Sequence, residues 1–141
     1  MHNDHATLRA TVMLALLVPR GWPVRVEVEL SYDTRDPYAV TAAFRCGPSG
    51  TVEWCFSRDL LADGLLTEVG EGDVRVGPAD DHIELVSLVV SSPAGMAMFE
   101  AYAEDLAEFL DHTYDLVPPG VEELWVSVDD ALTTLMSRDR R

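Results

Sequence analysis

The chain has no lysine: all ten of its basic residues are arginine, against 25 acidic ones, for a formal net charge of -15 over 141 residues. A surface this negative repels phosphate backbones and anionic lipid, so the composition argues against a nucleic-acid module and against binding to an acidic membrane surface. Cysteine is also scarce, at two. Neither Cys46 nor Cys55 stands in a spacing that supplies a histidine base, which leaves both as reduced structural thiols. No apolar run is long enough to span a bilayer. The stretch Val12–Val18 follows a single arginine, carries no small-x-small cleavage site and ends at Pro19-Arg20-Gly21. It reads as a buried strand of a cytoplasmic protein, not as a signal peptide.

Chemistry-bearing spacings are equally sparse. Glu108 and His112 lie one helical turn apart, half of a metal site with no second half in view. His2, Asp4 and His5 fall in an N-terminal tail. Gly70-Glu71-Gly72-Asp73 is glycine-rich but acidic and without a following lysine, so it would repel a phosphate and not cradle it. Carboxylate pairs are too common here to single out an acid–base couple. The residues therefore specify no catalytic group, no cofactor and no metal.

What is present is hydrophobic patterning. At 48% apolar residues the chain is an ordinary globular one, and its length suits a single domain, residues 1–141, with flexible tails at 1–6 and 138–141. Val24–Tyr32 alternates strictly, Val24, Val26, Val28, Leu30 and Tyr32 against Arg25, Glu27, Glu29 and Ser31. Tyr38–Cys46 and Val52–Phe56 alternate as well. Pairing Val18 with Val24, Tyr32 with Tyr38 and Cys46 with Val52 puts all the apolar faces on one side, which predicts a four-strand antiparallel meander. The first strand, Leu8–Val18, differs: Met13, Ala15 and Leu17 make its second face apolar too. A strand apolar on both faces is covered twice, and a neighbouring subunit is a simple way to cover it.

Arg58–Leu65 reads as a short helix capped by Ser57 and ended by Gly64. Residues 67–72 read as a loop, Val74 and Val76 as a short strand turning at Gly77-Pro78, and Ile83–Val90 as another strand. Ser92-Pro93 is a helix start signal, and Met96, Phe99, Tyr102, Leu106, Phe109, Leu110 and Thr113 recur at steps of three and four; this predicts one long amphipathic helix up to Val117-Pro118-Pro119-Gly120. Residues 124–128 read as a last strand and 129–136 as a closing helix. Trp22, Trp54 and Trp125 read as core or interface anchors. The fold class is α+β, with antiparallel sheets (the meander and a second, smaller one) packed on helices in the order ββββα-βββα.

Three stretches resemble one family. They are Tyr32–Val40, Gly70–Pro78 and, most distinctive, Val52-Glu53-Trp54-Cys55-Phe56-Ser57-Arg58-Asp59-Leu60-Leu61-Ala62-Asp63-Gly64-Leu65. Ser92-Pro93-Ala94-Gly95, Phe109-Leu110 and Val117–Gly120 add to them. The chain so resembles the SsgA-like proteins, the sporulation and cell-division family of actinobacteria. That resemblance implies a non-enzymatic division protein with a whirly-like fold, assembled as a homotrimer and acting at the division septum. It implies as partners the tubulin-like FtsZ, which family members recruit, and other SsgA-like or divisome proteins. Peptidoglycan remodelling through other partners, or single-stranded nucleic-acid binding through the whirly-like fold, are the alternatives. For the partner surface we select Asp59, Asp63, Glu68, Glu71 and Asp73, polar residues on loop-rich backbone. For the subunit contact we select Met13, Ala15 and Leu17.

Overall fold

A computed structural model of the chain describes residues 5–45, 50–79 and 82–126. The strands are β1 (Thr7–Leu17), β2 (Val24–Asp33), β3 (Ala39–Arg45), β4 (Thr51–Ser57), β5 (Val69–Glu71), β6 (Val74–Ala79), β7 (His82–Ser92) and β8 (Gly95–Tyr102); the helices are α1 (Arg58–Gly64) and α2 (Ala103–Leu116). All strands join one antiparallel sheet in the order β4-β3-β2-β1-β8-β7-β6-β5. The expected second sheet is thus continuous with the meander, through the pairing of β1 with β8 at Leu16↔Phe99 and its neighbours.

The meander stands with its faces as read, and with each register moved by two residues. Leu16, not Val18, opposes Val24; Val28 opposes Phe44; and Phe44, not Cys46, opposes Val52. An even shift leaves every side chain on its predicted face, because strand periodicity is two.

The long helix is the main correction. Ser92-Pro93 turns a hairpin: the Ser92 hydroxyl accepts a hydrogen bond from Ala94 N at 3.2 Å, and β8 runs back along β7 with Leu88 opposite Phe99 and Ser92 opposite Gly95. The sequence Met96–Tyr102 satisfies both periods. Read by twos, Ala97, Phe99 and Ala101 face one way and Met96, Met98, Glu100 and Tyr102 the other. Two flanking strands that need partners decide the matter, and ladder pairing overrides the helical pattern. The helix proper begins at Ala103, where Glu104 and Asp105 in its first turn oppose the positive helix end.

Smaller corrections follow. The loop at 67–72 contains β5, a hairpin partner of β6 that turns at Gly72, whose φ of 59° is left-handed and suits glycine. Strand β6 continues through Gly77-Pro78, with a register shift at Pro78/Ala79. Residues 122–126 are helical, not a strand. Residues 5 and 6 are tied down: Ala6 N donates to the Thr34 hydroxyl at 2.9 Å, and Thr34 N donates back to Ala6 O at 3.0 Å. Trp22 is 90% exposed at the β1–β2 turn and anchors no core. Residues 1–4, Cys46, the closing helix at 129–136 and the tail at 138–141 lie outside the described residues.

The sheet curls. Phe44 on β3 and Phe99 on β8 have two strands, β2 and β1, between them in the sheet, yet their rings meet on its inner face with centroids 4.8 Å apart. The core fills this concave side, from Val12, Leu14, Val28, Leu30 and Tyr32 to Val76, Val86 and Leu88. Helix α2 packs on β1, β7 and β8 and contributes Leu106, Phe109 and Leu110. Helix α1 leaves the end of β4 yet also packs on β5 and β6, so it plugs the gap between the two edges that the curl brings round.

Candidate functional site

Among the described residues Arg58 is the one buried cation in the core, 1% exposed at the first turn of α1. Its Nη1 donates to Val117 O at 2.7 Å, with longer contacts to Thr113 O and Oγ1 at 3.4 Å. Its Nη2 donates to Glu122 Oε2 at 2.7 Å. The guanidinium lies 5.1 Å from the Tyr32 ring centre and 4.8 Å from that of Tyr114. The last carbonyls of α2 suit a cation because they carry the negative end of the helix dipole. Glu122 Oε1 in turn accepts from Gly120 N at 2.9 Å. One side chain therefore ties the start of α1 to the end of α2 and to the turn beyond Pro118-Pro119.

The cluster shifts its neighbours. Burial pushes the Tyr32 phenol up to about 12, against the opposing field of Arg58; its hydroxyl donates to Pro37 O at 2.9 Å. Burial alone would raise the Glu122 carboxyl, but the Arg58 hydrogen bond and the Gly120 N–H outweigh it and hold the group below the ordinary carboxylate range. Burial raises Tyr114 as well; Arg58 opposes this, and Asp59, Asp63 and Asp111 add to the rise. The sequence reading passed over Arg58. Its one visible signal is an arginine in the first turn of a helix, the end that disfavours cations.

All five residues selected as a partner surface are exposed. The structure sorts them into two groups. Asp59 and Asp63 stand one turn apart on α1, close enough to Tyr114 and Asp111 on α2 to act on the same phenol. Glu71 and Asp73 flank Gly72 at the tip of the β5–β6 hairpin, with Asp73 O fixed by Ser91 N at 2.8 Å. Glu68 lies between, in an exposed ion pair with Arg75 at 3.1 Å, a contact worth about 0–1 kcal/mol. The result is an acidic ridge in which Asp59, Asp63 and Glu71 stand on regular elements, while Glu68 and Asp73 lie in the connections, as the sequence suggests.

The three residues selected as a subunit contact lie on the convex face of the sheet. Met13 is 39% exposed, and Ala15 and Leu17 are half-buried. Across β8 and β7 the same face presents Met98, Tyr102, Leu85 and Val89. Glu108 and His112, both exposed, line a cavity of about 310 Å³ between β1 and α2 with Thr11, Met13, Tyr102 and Asp105. Among the described residues no three His, Cys, Asp or Glu side chains converge to hold a metal. Cys55 is a free, exposed thiol on the convex face. Among the described residues no helix is long and apolar enough to cross a membrane.

A family profile described as Streptomyces sporulation and cell division protein, SsgA, matches residues 26–122. The sporulation-specific cell division protein SsgB of Saccharopolyspora erythraea is 60% identical over 139 residues, covering 99% of each chain. The SsgB of Streptomyces coelicolor is 42% identical, covering 94% of this chain and 98% of its own. Among solved structures, an SsgA-like sporulation-specific cell division protein from Thermobifida fusca superposes with a TM-score of 0.87 at 41% identity, covering 95% of this chain and 98% of that one. The stretch Val52–Leu65, most distinctive in the sequence, is the one that builds β4, α1 and the Arg58 clasp, and it lies inside the matched region. The chain belongs to the SsgA family, as one of its SsgB-like members.

Proposed function

We propose that this chain is a non-catalytic scaffold of sporulation septation, working at the division septum by binding and recruiting FtsZ. The observation that carries the reading is full-length similarity to proteins named as sporulation-specific and cell-division proteins. The acidic ridge of α1 and the β5–β6 hairpin supports it, because exposed carboxylates on fixed backbone suit a protein partner. Pelleting FtsZ polymers with and without the protein tests the reading. Co-sedimentation, or a change in polymer amount, is expected; neither would mean that recruitment is indirect, with cell-wall remodelling through other partners as the leading reading. Charge reversal of Glu68, Glu71 and Asp73 together is expected to weaken the interaction and disturb septation while leaving the fold intact. Unchanged binding would remove the ridge from the contact.

The proposed assembly is a homotrimer built on the convex apolar face around Met13, Ala15 and Leu17. Exposed apolar side chains on this face, set among Arg25, Glu27 and Glu100, support an interaction site with a mixed apolar and charged character. Because Met13 is already 39% exposed in a single chain, Met13→Glu is expected to leave a folded monomer and not an unfolded chain. Light scattering should give three chain masses for the parent protein and one for the variant. A parent protein of one chain mass would refute the trimer.

A further inference from the structure

The two edges of the sheet are not alike. β5 is three residues long and is covered by α1. β4 is seven residues long, pairs with β3 without a register break and contains neither proline nor lysine. Among the described residues its one protective device is the charge of Glu53, with no proline, no bulge and no helix laid along its Thr51 end. The hydrogen bond from Arg58 N to Tyr38 O fixes the phase of the β3–β4 ladder. Bonding positions alternate along an antiparallel pair, so Val52, Trp54 and Phe56 bond inward to β3, and Thr51, Glu53 and Cys55 aim their N–H and C=O groups at the open edge. Beside that edge, among the described residues, α1 plugs the gap in the curled sheet at the Ser57 end. At the Thr51 end it opens as an apolar mouth of about 360 Å³, lined by Phe44, Val52, Trp54, Val90, Met96 and Ala97. Val52 is 47% and Met96 68% exposed there. On the convex side Glu29 and Glu53 flank Ala43 in one cross-strand row, and the neighbouring Arg45 is paired with Glu27 at 3.2 Å.

We propose that the β4 edge binds an extended peptide segment of another protein, added as a ninth strand, with apolar side chains at alternate positions and basic ones between them. Main-chain bonds from Glu53 and Cys55 hold the segment. Its apolar side chains enter the mouth beside Val52 and Trp54, on the only face they can reach at a period of two. Its basic side chains stand next to Glu53, in a field that Glu29 and the net charge of -15 make negative. This surface is separate from the acidic ridge and does not depend on the FtsZ reading.

The test is fluorescence anisotropy on the full chain, using a labelled nine-residue peptide that alternates arginine with valine and leucine. A second peptide of the same composition, with its apolar residues in one block, is the comparison. Saturable binding of the alternating peptide, about tenfold or more tighter than the blocked one, is expected. Cys55→Pro removes an edge donor without touching the ladder to β3 and should lower affinity about tenfold or more, whereas Cys55→Ala should not. Val52→Glu, at an exposed position in the mouth, should weaken binding similarly with an unchanged melting temperature. Equal binding of both peptides would reduce the interaction to charge attraction and overturn the proposal, as would full affinity in Cys55→Pro and Val52→Glu. If neither peptide binds and Cys55→Pro instead lowers the mass of the parent assembly, the occupant is a second copy of this chain and the proposal is wrong.

Discussion

Arg58→Ala is expected to cost about 3–5 kcal/mol, the magnitude seen when one partner of a buried ion pair is removed, a large fraction of the roughly 5–15 kcal/mol that holds a domain folded. Several losses coincide. Glu122 is left buried without its cation, the Val117 carbonyl loses its donor, and Tyr32 and Tyr114 lose the group between their rings. The same principle predicts the rescue: Arg58→Met combined with Glu122→Gln removes both charges and should be markedly more stable than Arg58→Met alone. Urea unfolding of the parent, Arg58→Met, Glu122→Gln and the double variant measures the coupling, and additive losses would show that Arg58 and Glu122 are not held together. The pH dependence has a defined sign. The folded carboxyl of Glu122 lies below its ordinary value, so its contribution is present above the unfolded pKa and is lost as pH falls through the lower, folded one. Glu122→Gln should flatten that part of the acid limb.

The clasp also marks what a one-dimensional reading can and cannot reach. The faces of β1 to β4 were legible because alternation depends only on neighbours in the chain. Their registers were not, because turn chemistry leaves a choice between pairings two residues apart, and both satisfy the same face. The segment Met96–Tyr102 was misread for a related reason. Its apolar residues fit periods of two and 3.6 alike, and of the deciding partners Leu88 lies just across a tight hairpin that Ser92-Pro93 disguises as a helix start, while Leu16 on β1 lies far away in sequence. Arg58 was invisible as a site because its partners, Thr113, Val117 and Glu122, are 55, 59 and 64 residues distant. The acidic ridge was legible as composition. Its division into an α1 pair and a hairpin-tip pair needed the β5–β6 hairpin, which a three-residue strand hides from any pattern.

Gly64 supplies the other large effect, and here two principles oppose each other. By helix propensity, alanine in place of a helical glycine gains at most about 1 kcal/mol, and less at the last helical position. Gly64 ends α1, as the sequence suggests, but as the last helical residue and without a left-handed conformation: the cap is Leu65 with φ -71°. Its role is space. A Cβ added there would fall on the Val76 side chain, 2.6 Å from its Cβ and 3.1 Å from the Val76 carbonyl oxygen. Val76 is 1% exposed in a sheet strand and cannot yield, so α1 must lift from β6. Overpacking of this kind costs about 1–3 kcal/mol, occasionally more, which outweighs the propensity gain. Gly64→Ala should therefore destabilise in urea, and Gly64→Val should do so more strongly. Val76→Ala is expected to relieve part of the Gly64→Ala loss, since it removes the outer methyls but not the Cβ or the carbonyl. A Gly64→Ala protein as stable as the parent would mean that α1 does not pack on β6 at this distance. Any displacement of α1 also moves Asp59 and Asp63 relative to Glu71 and Asp73, so variants that remain folded should lose partner binding ahead of their loss of stability.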